Sequence, residues 1–507
     1  MMRLKKRLLT GKNWMTFPAL LLALGLVLLP VIAGAAEEAT EEATEDYILE
    51  DTVVTATKTG ETRLQETPLS ITVFDYEKMK NSGIESMFDI GNKTPGVTIS
   101  PQASSAFIRG IGSDNPLLGG SETVGVYVDE VYMSRITGFA MGFLDLNRIE
   151  FLRGPQGTLY GRNTTGGAIK LFTADPTDEL EGYLEGSLVR GDSFIGEAAV
   201  RLAVNYTDAE GWIDDVGGGD NLNCTETLMG RLKLDYRPSE NVDIRFSLDG
   251  ATSDLTSGFP MRPIDPTPFI QAGAVDAFSW DESYNNYPES SGEINYGGGS
   301  LSVDWNLSQG LVLKSITALR DYKGDYGRND FDGTSLDLWN SESIVQYKQA
   351  SQELQFNVVK GAFKLVNGLF YMKEEESNLA DSYILYNLGL PFGVDYLNEY
   401  DAENDTTTFA VFTQGEYSLT DKINLLAGLR YTNEKKEISV NTDSSIDLNP
   451  GFGLPPGTVP SLVIRTITAY MNEDNWDAWT PKVGIDYRLS DDVFLYASIT
   501  NGFKSGG

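Results

Sequence analysis

The feature that most limits the fold of this 507-residue sequence is a two-residue alternation that recurs beyond about residue 178. The segments RLKLDYR (231–237), VDIRFSLDG (242–250) and KVGIDYRLS (482–490) place apolar residues at alternate positions, with polar or charged residues between them. Because successive side chains of a β-strand point to opposite faces, each segment would have one apolar and one charged face. Charged faces in so many strands do not fit the core of a soluble sandwich or jelly roll. They fit a membrane barrel with lipid outside and water inside.

The connections between these segments alternate in length. Short polar turns are predicted at 238–241, 308–310, 420–422 and 490–492, and long polar loops at about 252–294, 324–345, 377–405 and 441–474. Short turns at one end and long loops at the other are typical of outer-membrane barrels. Tyrosines near the predicted strand ends would then lie at the membrane interfaces, namely Tyr322, Tyr347, Tyr371 and Tyr431.

Residue counts exclude several kinds of chemistry. The chain has no histidine and a single cysteine, Cys224. We therefore expect no catalytic residue that works with histidine, no histidine-ligated metal, no cofactor such as a histidine-ligated haem and no internal disulfide. The formal net charge of −34 argues against a nucleic-acid partner. A secreted glycosidase with two carboxylates is the enzymatic alternative, although no pocket motif supports it.

The first 50 residues are predicted to be an export signal followed by a flexible lead-in. Residues 1–36 combine a basic start, an apolar run from Phe17 to Ile32 and the small residues AGAA, which is the layout of a cleaved secretory signal peptide. An uncleaved membrane anchor is the alternative. Residues 37–50 carry seven acids in fourteen positions, a composition that favours a solvated, disordered segment.

Residues 51–177 have a different texture, with many glycines and short mixed elements. Runs rich in β-branched and aromatic residues predict strands at 70–74, 149–152 and 168–172 and a strand pair within 123–132, whereas 76–91 predicts a short helix. We therefore expect a compact α+β domain between the lead-in and the barrel strands.

Several stretches of this domain resemble a known family. The segment DTVVTA (51–56) is followed by FIRGIG (107–112), VGVYVDEVY (124–132) and RIEFLRGPQGTLYGRNTTGGAIKLFTADP (148–176). Together they resemble the plug domain of TonB-dependent outer-membrane receptors of the siderophore type, and DTVVTA is similar to the TonB box. The resemblance implies a transmembrane antiparallel β-barrel from residue 178 onward, with the N-terminal α+β plug domain (51–177) in its lumen.

The resemblance also implies partners. TonB, a periplasmic protein energised through ExbB–ExbD in the inner membrane, would bind the TonB box. A short β-prone segment behind a flexible tether can add a strand to the edge of a partner's sheet. An ordinary first strand of the plug is the alternative for this hexamer. The predicted TonB-binding residues are Asp51, Thr52, Val53, Val54, Thr55 and Ala56.

The glycines of the plug motif are predicted to permit tight turns and close backbone packing in a crowded lumen. Their spacing matches neither a phosphate-binding loop nor a dinucleotide fingerprint. The arginines are candidates for charged pairs with the inner wall, and the resemblance implies that Arg109 and Arg153 hold the plug and yield on activation. A solvated position is the alternative for Arg162. The predicted plug-motif and plug–barrel contact residues are Arg109, Gly110, Arg153, Gly154, Pro155, Gly157, Gly161, Arg162, Gly166 and Gly167.

The strand count predicts an incomplete barrel. Residues 178–507 hold about twelve candidate strands against 22 in plugged outer-membrane transporters, so we expect the N-terminal part of a receptor of roughly 780 residues. Residues 180–190 and 195–206 are interpreted as one hairpin, and the up-and-down strand order then fails by one strand. Either 195–206 splits into two short strands or a small internal deletion repairs the order.

The function implied by the resemblance is energy-dependent import of a scarce ligand across the outer membrane, without catalysis. The expected ligand is an extracellular small molecule such as a ferric siderophore, and outer-membrane lipid surrounds the barrel. Import of cobalamin or an oligosaccharide and a passive porin or adhesin-type barrel are the alternatives.

Overall fold

The computed structural model describes residues 53–177 and 182–506. Gaps in this description fall at 59, 61, 85, 101–104, 113–120, 135–142, 186, 196–197, 212, 257–280, 289, 332, 337, 387–393, 448–462 and 491–492. The predicted signal peptide (1–36), the acidic lead-in (37–50) and the first two residues of the TonB box, Asp51 and Thr52, lie outside the described residues.

The first part of the described chain is a small α+β domain. Its central five-stranded sheet has the order β3-β9-β10-β7-β8 and is antiparallel except for the β10–β7 pair. Two small sheets, β1-β2 and β4-β5-β6, lie beside it. The strands are β1 (Val53–Val54), β2 (Thr62–Arg63), β3 (Ser70–Asp75), β4 (Val97–Ile99), β5 (Ala106–Ile108), β6 (Ile111–Gly112), β7 (Val124–Val128), β8 (Val131–Met133), β9 (Leu146–Arg153) and β10 (Gly167–Thr173).

Two short helices replace the single helix predicted at 76–91. They are α1 (Tyr76–Asn81) and α2 (Met87–Lys93), and a 3₁₀ turn spans Leu64–Glu66. Asp75 caps α1, and Ser86 and Asp89 form a capping box at the start of α2. The second capping signal divides the predicted helix, because it starts a new helix after a turn. Among the described residues no helix is long and apolar enough to cross a membrane.

The core of this domain is built by its central sheet. All five residues of β7 are buried, and the side chains of Ile149, Phe151, Ile169 and Leu171 are fully buried. The strands predicted at 70–74, 149–152 and 168–172 and the strand pair within 123–132 are confirmed. Their apolar runs carry the same residues that fill the core.

The rest of the described chain forms a large antiparallel sheet of thirteen strands. Its strand order follows the sequence except that β14 (Asp214–Asp215) and β17 (Glu282–Ser283) pair separately, in parallel. The thirteen strands are β11 (Gly182–Glu185), β12 (Ser187–Ile195), β13 (Ala198–Ala209), β15 (Thr225–Ser239), β16 (Val242–Thr256), β18 (Ser291–Ser308), β19 (Leu311–Asp330), β20 (Trp339–Lys360), β21 (Phe363–Tyr386), β22 (Val394–Thr420), β23 (Ile423–Asp447), β24 (Val463–Arg488) and β25 (Phe494–Thr500).

The predicted alternation is confirmed by burial. In KVGIDYRLS, Val483 is 55% exposed on the outer face, whereas Lys482 is 6% exposed on the inner face. In VDIRFSLDG, Phe246 is exposed and Asp249 is buried. The polar inner face is buried because the α+β domain fills the space that the sheet encloses, with contacts from Arg201 of β13 round to the residues that follow β25.

The wall strands are longer than predicted. The predicted loop at 377–405 is mostly a ladder in which 377–386 pairs with 394–403. The other predicted loops are shortened in the same way, because β19, β20, β23 and β24 extend into them. Polar residues are frequent in these extensions, which is why the sequence favours loops there.

The strand order at the start of the wall differs from both proposed repairs. Residues 198–209 form one continuous strand, β13, so the predicted split within 195–206 is wrong. The chain instead reverses earlier, where Glu185 pairs with Ser187 between β11 and β12. This extra strand restores the up-and-down order and raises the count from the predicted twelve to thirteen. At four residues, β11 is too short to show an alternation in the sequence.

The four tyrosines assigned to the membrane interfaces divide into two pairs. Tyr371 is exposed on the outer face, and the ring of Tyr431 lies 4.9 Å from that of the exposed Trp479. Tyr322 and Tyr347, which are register partners, are buried in the cluster between wall and plug core, so their predicted interfacial position is wrong. Nearness to a strand end does not determine which face a residue occupies, because the face changes with each residue.

Candidate functional site between plug and wall

The sequence motif forms the loop that joins β9 to β10. Its backbone closes on itself through hydrogen bonds from Gln156 N to Thr164 O (3.0 Å) and from Tyr160 N to Gln156 O (3.0 Å). Gly161 has a φ of +85°, and a Cβ there would lie 2.7 Å from a guanidinium nitrogen of Arg430 on the wall. At this position the motif therefore requires glycine's backbone freedom, and a larger side chain would have to displace the Arg430 guanidinium.

The other motif glycines permit either a tight turn or close packing of the backbone. Gly110 and Gly154 have positive φ, whereas Gly157, Gly166 and Gly167 leave no room for a Cβ. The atoms that would be struck are backbone oxygens of Asn501, Ile111 and Leu152, respectively. Pro155 lies beside Gly502, which belongs to a wall-derived segment. The loop is thus packed directly against the surrounding wall.

Arg162 joins this loop to two wall strands. Its guanidinium donates to Glu434 Oε2 of β23 (2.7 Å) and to Glu374 Oε2 of β21, and all three side chains are buried. Burial alone would lower the pKa of Arg162, but the two carboxylates outweigh it and raise this pKa well above the ordinary value. We call these three residues the arginine lock. Removing one partner of such a buried group leaves an uncompensated charge, at a cost of about 3–5 kcal/mol.

In the described parts of the chain, Arg109 and Arg153 bond within the plug rather than to the wall, where contacts were predicted for them. Arg109 is exposed and donates to Ser70 Oγ (3.0 Å), whereas Arg153 donates to the carbonyl oxygen of Pro95 (3.3 Å). Both bonds stay inside the plug. Arg153 ends β9, where it is the register partner of Ser70 and Gly167, so its position is fixed by the plug's own sheet. Arg162 instead forms the predicted ion pairs with the wall. A solvated position was the alternative for this residue.

Six further ion pairs join described residues of the plug to the wall, and the sequence motifs do not reveal them. Asp145 binds Arg201 of β13 (2.6 Å), Asp175 and Asp129 bind Lys233 of β15 (2.8 and 3.6 Å), Glu130 binds Lys314 of β19, Lys58 binds Glu353 of β20 (2.6 Å), and Glu66 binds Arg488 of β24 (2.7 Å). The wall residues all lie on the polar inner face. The alternation of the strands is therefore the sequence signal that could have identified them.

The turn between β7 and β8 is held by the plug's central sheet on one side and by the wall on the other. Asp129 and Glu130 have φ values of 46° and 70°, a conformation that is unfavourable for both residues. Asp129 accepts hydrogen bonds from the backbone N and the hydroxyl of Thr173 (2.9 and 2.6 Å). Burial alone would raise the pKa of Glu130, but Lys314 and Lys170 outweigh it and lower this pKa to about 2. The plug's central sheet and the wall thus hold the turn together.

The described part of the predicted TonB box, residues 53–56, lies inside the assembly rather than in solvent. Val53 and Val54 pair with Arg63 and Thr62, and the side chains of Val54 and Ala56 are fully buried. We call residues 53–58 the N-terminal segment. Among the described residues, the two-residue strand β1 pairs with β2 alone, and an isolated two-stranded pair has little stability of its own.

Plug side chains hold the backbone of this segment. Glu150 Oε1 accepts from Thr55 N (3.2 Å), Lys170 Nζ donates to Thr55 O (3.2 Å), and the hydroxyl of Tyr160 donates to Ala56 O (2.9 Å). Burial lowers the pKa of Lys170 to about 8, although Glu150 and Glu130 act in the opposite direction. Lys58 then ties the end of the segment to Glu353 on the wall. Side-chain contacts therefore hold most of the segment, and its sheet pairing is limited to two residues.

Residues 501–506, which we call the strap, were not predicted. They leave the sheet after β25 and cross to the motif loop, where Asn163 N donates to Phe503 O (3.1 Å) and Ser505 N donates to Asn163 Oδ1 (3.0 Å). The hydroxyl of Ser505 donates to Glu434 Oε1. The strap therefore completes the hydrogen bonding of a lock carboxylate whose other oxygen binds Arg162.

Arg162 separates two small polar cavities. The larger, about 20 Å³, is lined by Glu376, Asn404 and Lys436 on the long-loop side of the lock. The smaller, about 10 Å³, is lined by Tyr160, Glu353 and other residues towards the N-terminal segment. Cavities of this size hold one water molecule at most. In the described parts of the chain, no group of three or more acidic or cysteine side chains is arranged to hold a metal ion.

The family is shown by two matches to family models. The TonB-dependent receptor plug domain model matches residues 63–168, and the TonB-dependent receptor-like β-barrel model matches residues 231–507. These matches cover more than half of the sequence. The chain belongs to the family of TonB-dependent receptors, whose plugged barrels lie in the outer membrane.

Individual relatives agree with this assignment. The chain is 23% identical to the pesticin receptor of Yersinia pestis over 96% of its own length and 67% of the relative's. It is 22% identical to the ferric-pyoverdine BN7/BN8 receptor of Pseudomonas putida, over 94% of this chain and 59% of that protein. It therefore spans about two thirds or less of each relative's length.

Solved structures share the fold. The ferric yersiniabactin uptake receptor FyuA from Yersinia pestis superposes with a TM-score of 0.66 at 18% identity, over 86% of this chain and 65% of that one. The closed form of the ferric-catecholate import receptor Fiu from E. coli gives 0.61 at 15% identity, over 86% and 66%. At these identities the likeness establishes the plug-in-barrel architecture and no more.

Proposed function

We propose that the receptor imports a ferric siderophore across the outer membrane, and that TonB drives the import by binding residues 51–56. The observation that carries the proposal is the way the N-terminal segment is held. It is β-prone, has a sheet partner of only two residues, and is fastened by hydrogen bonds that other donors and acceptors can replace. A segment held in this way can leave the plug and add a strand to a partner's sheet.

The names of the relatives support the ligand class. Proteins described as ferric-pyoverdine receptors and a ferric yersiniabactin uptake receptor share this family or this fold. A siderophore chelates its own iron, so the receptor needs no metal ligands from histidine, which the sequence lacks. Cobalamin and oligosaccharides are the other ligands to be tested. The ligand passes through unchanged, so the protein is not an enzyme.

The remaining parts of the proposal follow from the TonB step. Export of the precursor uses residues 1–36 as a cleaved signal peptide, and the acidic lead-in (37–50) gives TonB access to the segment behind it. ExbB–ExbD supply the energy to TonB. A passive porin is not favoured, because the plug's ion pairs with β13, β15, β19, β20, β21 and β23 fill the lumen.

The experiment is a matched pair of six-residue deletions in the receptor expressed in cells. Deleting 51–56 should abolish uptake of radiolabelled ferric siderophore while leaving surface binding intact. Deleting 38–43 shortens the acidic lead-in by the same length and should leave uptake close to wild type. Uptake that survives deletion of 51–56 would contradict the proposal and favour a passive pore.

A second measurement tests the partner directly. A peptide spanning 45–58 should bind the purified C-terminal domain of TonB, and the same peptide with Val54 replaced by proline should not, because proline cannot donate the ladder hydrogen bond. Absence of binding at millimolar peptide would contradict the TonB-box assignment.

A further inference from the structure

Three buried tyrosines lie in line between the arginine lock and the N-terminal segment. The guanidinium of Arg162 lies 5.6 Å from the ring centroid of Tyr132. The Tyr132 and Tyr127 rings are 5.4 Å apart, and the Tyr127 and Tyr160 rings are 5.1 Å apart with an interplanar angle of 71°. The Tyr160 hydroxyl then donates to Ala56 O. A continuous column of contacts thus joins the plug–wall lock to the buried segment.

The column is assembled from separate parts of the plug. Tyr127 of β7 and Tyr132 of β8 are register partners across the strained turn, and Tyr160 comes from the motif loop. The Tyr127 hydroxyl donates to Tyr160 O (2.7 Å), so a ring contact and a hydrogen bond both connect these two residues. Burial raises the pKa of Tyr127 and Tyr160 well above their ordinary value, and both hydroxyls remain donors.

The three rings share one buried cluster. All three side chains are at most 6% exposed and belong to this cluster with the wall residues Met372 and Phe412. Because neighbouring rings are in direct contact, a shift of one ring changes its contacts with the next. Aromatic pairs at these distances also have a preferred geometry that contributes about 0.5–1.5 kcal/mol beyond burial.

The lock determines the position of the first ring. Asn163, next to Arg162 in the motif loop, donates to the Tyr132 hydroxyl (3.2 Å) and also holds the strap. If Arg162 leaves Glu374 and Glu434, the cation above the Tyr132 ring moves and the loop that carries Asn163 and Tyr160 loses its wall contact. The other end of the column is the hydrogen bond that holds Ala56.

We propose that Tyr132, Tyr127 and Tyr160 couple the arginine lock to the N-terminal segment, so that opening the lock weakens the hold on residues 53–56. This coupling rests on the proposed TonB function for its biological purpose. The three tyrosines are positioning residues, since none needs to touch the ligand. Spatial continuity alone does not establish coupling, and a double-mutant cycle is the required test.

The test uses the purified receptor in detergent, with Cys224→Ser to remove the native thiol and Val54→Cys as a reporter. Val54 is fully buried, so its reaction with a maleimide measures release of the segment. Arg162→Gln should raise the labelling rate at least tenfold. In a Tyr127→Leu background, which removes the middle ring, Arg162→Gln should change the rate by less than twofold.

Two further variants keep the result interpretable if Tyr127→Leu loosens the plug. Tyr132→Phe retains the ring, so the tenfold effect of Arg162→Gln should persist in that background. Phe74→Leu creates a comparable cavity against Phe151 in the other cluster of the plug and should also preserve the effect. An equal effect of Arg162→Gln with and without Tyr127, or its loss in Phe74→Leu, would overturn the coupling.

The labelling experiment contains no TonB, so it separates the two proposals. Nonadditive labelling without TonB binding to the 45–58 peptide would support the coupling and contradict the proposed function. TonB binding together with additive labelling would support the function and contradict the coupling.

Discussion

Two faces of the plug meet the wall through the same kind of interaction, yet they differ in what those interactions hold. On one face, which we call the anchored face, Asp145, Glu130 and Asp175 pair with β13, β19 and β15. On the other, the release face, Lys58 and Arg162 pair with β20, β21 and β23. The first set holds residues of the five-stranded sheet or next to it. The second holds a loop and a segment whose own strand is two residues long.

The difference shows that the effect of a plug–wall ion pair depends on how else the plug residue is held. Glu130 belongs to a turn that is also held by the hydrogen bonds between Asp129 and Thr173. If Glu130 loses its partner on the wall, these contacts therefore remain. Lys58 ends a segment fastened by individual side chains and by a two-residue strand pair. A pull on the N-terminus therefore acts on the release face, while the central sheet stays attached to the wall. The following predictions test this contrast, beginning with the largest effect.

Arg162→Gln should break the release face. Glu374 and Glu434 would remain buried without their cation, so we expect the free energy of opening the motif loop to fall by about 3–5 kcal/mol. Hydrogen exchange of the amides at 154–166 measures this change. Arg109→Gln is the matched control, because Arg109 is exposed and bonds only within the plug in the described structure. Its effect should stay below about 0.5 kcal/mol, and equal effects would remove the contrast.

Glu130→Gln should weaken the anchored face in a pH-dependent way. The pKa of Glu130 falls from 4.5 to about 2 in the folded protein, so its ionised form contributes stability above pH 4.5 that is lost as the pH falls through 2. The shift corresponds to about 3 kcal/mol. Exchange of the amides at 124–133 should therefore differ between variant and wild type at pH 7 and converge near pH 2. The exposed Glu77→Gln should show no difference at either pH, and a constant difference for Glu130→Gln would contradict the account.

Lys58→Met should loosen the N-terminal segment without breaking the lock. We expect the TonB C-terminal domain to bind the ligand-free variant about tenfold more tightly, which corresponds to about 1.4 kcal/mol, because less of the segment's hold has to be overcome. Lys373→Met removes an exposed wall pair with Glu375 and should leave the affinity unchanged. Unchanged affinity for Lys58→Met would show that its ion pair does not restrain the segment.

Ser505→Ala should have the smallest effect, since it removes one hydrogen bond from the strap to Glu434 while Arg162 stays in place. We expect a loss of about 1 kcal/mol in the same exchange measurement of 154–166. Ser498→Ala, an exposed position on β25, is the control and should be neutral. A loss as large as that of Arg162→Gln would place the strap, rather than the arginine, at the centre of the release face.

The sequence predicts the wall well and the release face poorly. Alternation identifies inner residues such as Lys233 and Asp249 because the period of a strand is fixed. It fails for β11, which is too short to show a period, and for the extensions of β21 and β22, where frequent polar residues favour a loop. The same two-residue period, counted from inner residues of the same strands, places Tyr322 and Tyr347 on the inner face.

The release face depends on contacts between residues that are far apart in the chain. The motif reveals three arginines, but only the folded structure distinguishes Arg162, which extends from a loop, from Arg153, which the register of β9 keeps within the plug. Burial of Val54 and Ala56 has no local signal either, because Glu150 and Lys170, which bind Thr55 between them, and Tyr160, which binds Ala56, lie about a hundred residues away. These pairings arise from the topology of the plug.

The most direct test of the contrast cross-links each face in turn. Both variants carry Cys224→Ser, and a short homobifunctional thiol reagent joins either the pair Lys58→Cys and Glu353→Cys or the pair Glu130→Cys and Lys314→Cys. Uptake of ferric siderophore by energised cells is then measured, with surface binding as the control for folding. The account predicts that the 58–353 cross-link abolishes uptake and that the 130–314 cross-link leaves it near the level of the untreated variant. Uptake that survives the first cross-link, or is lost with the second, would contradict it.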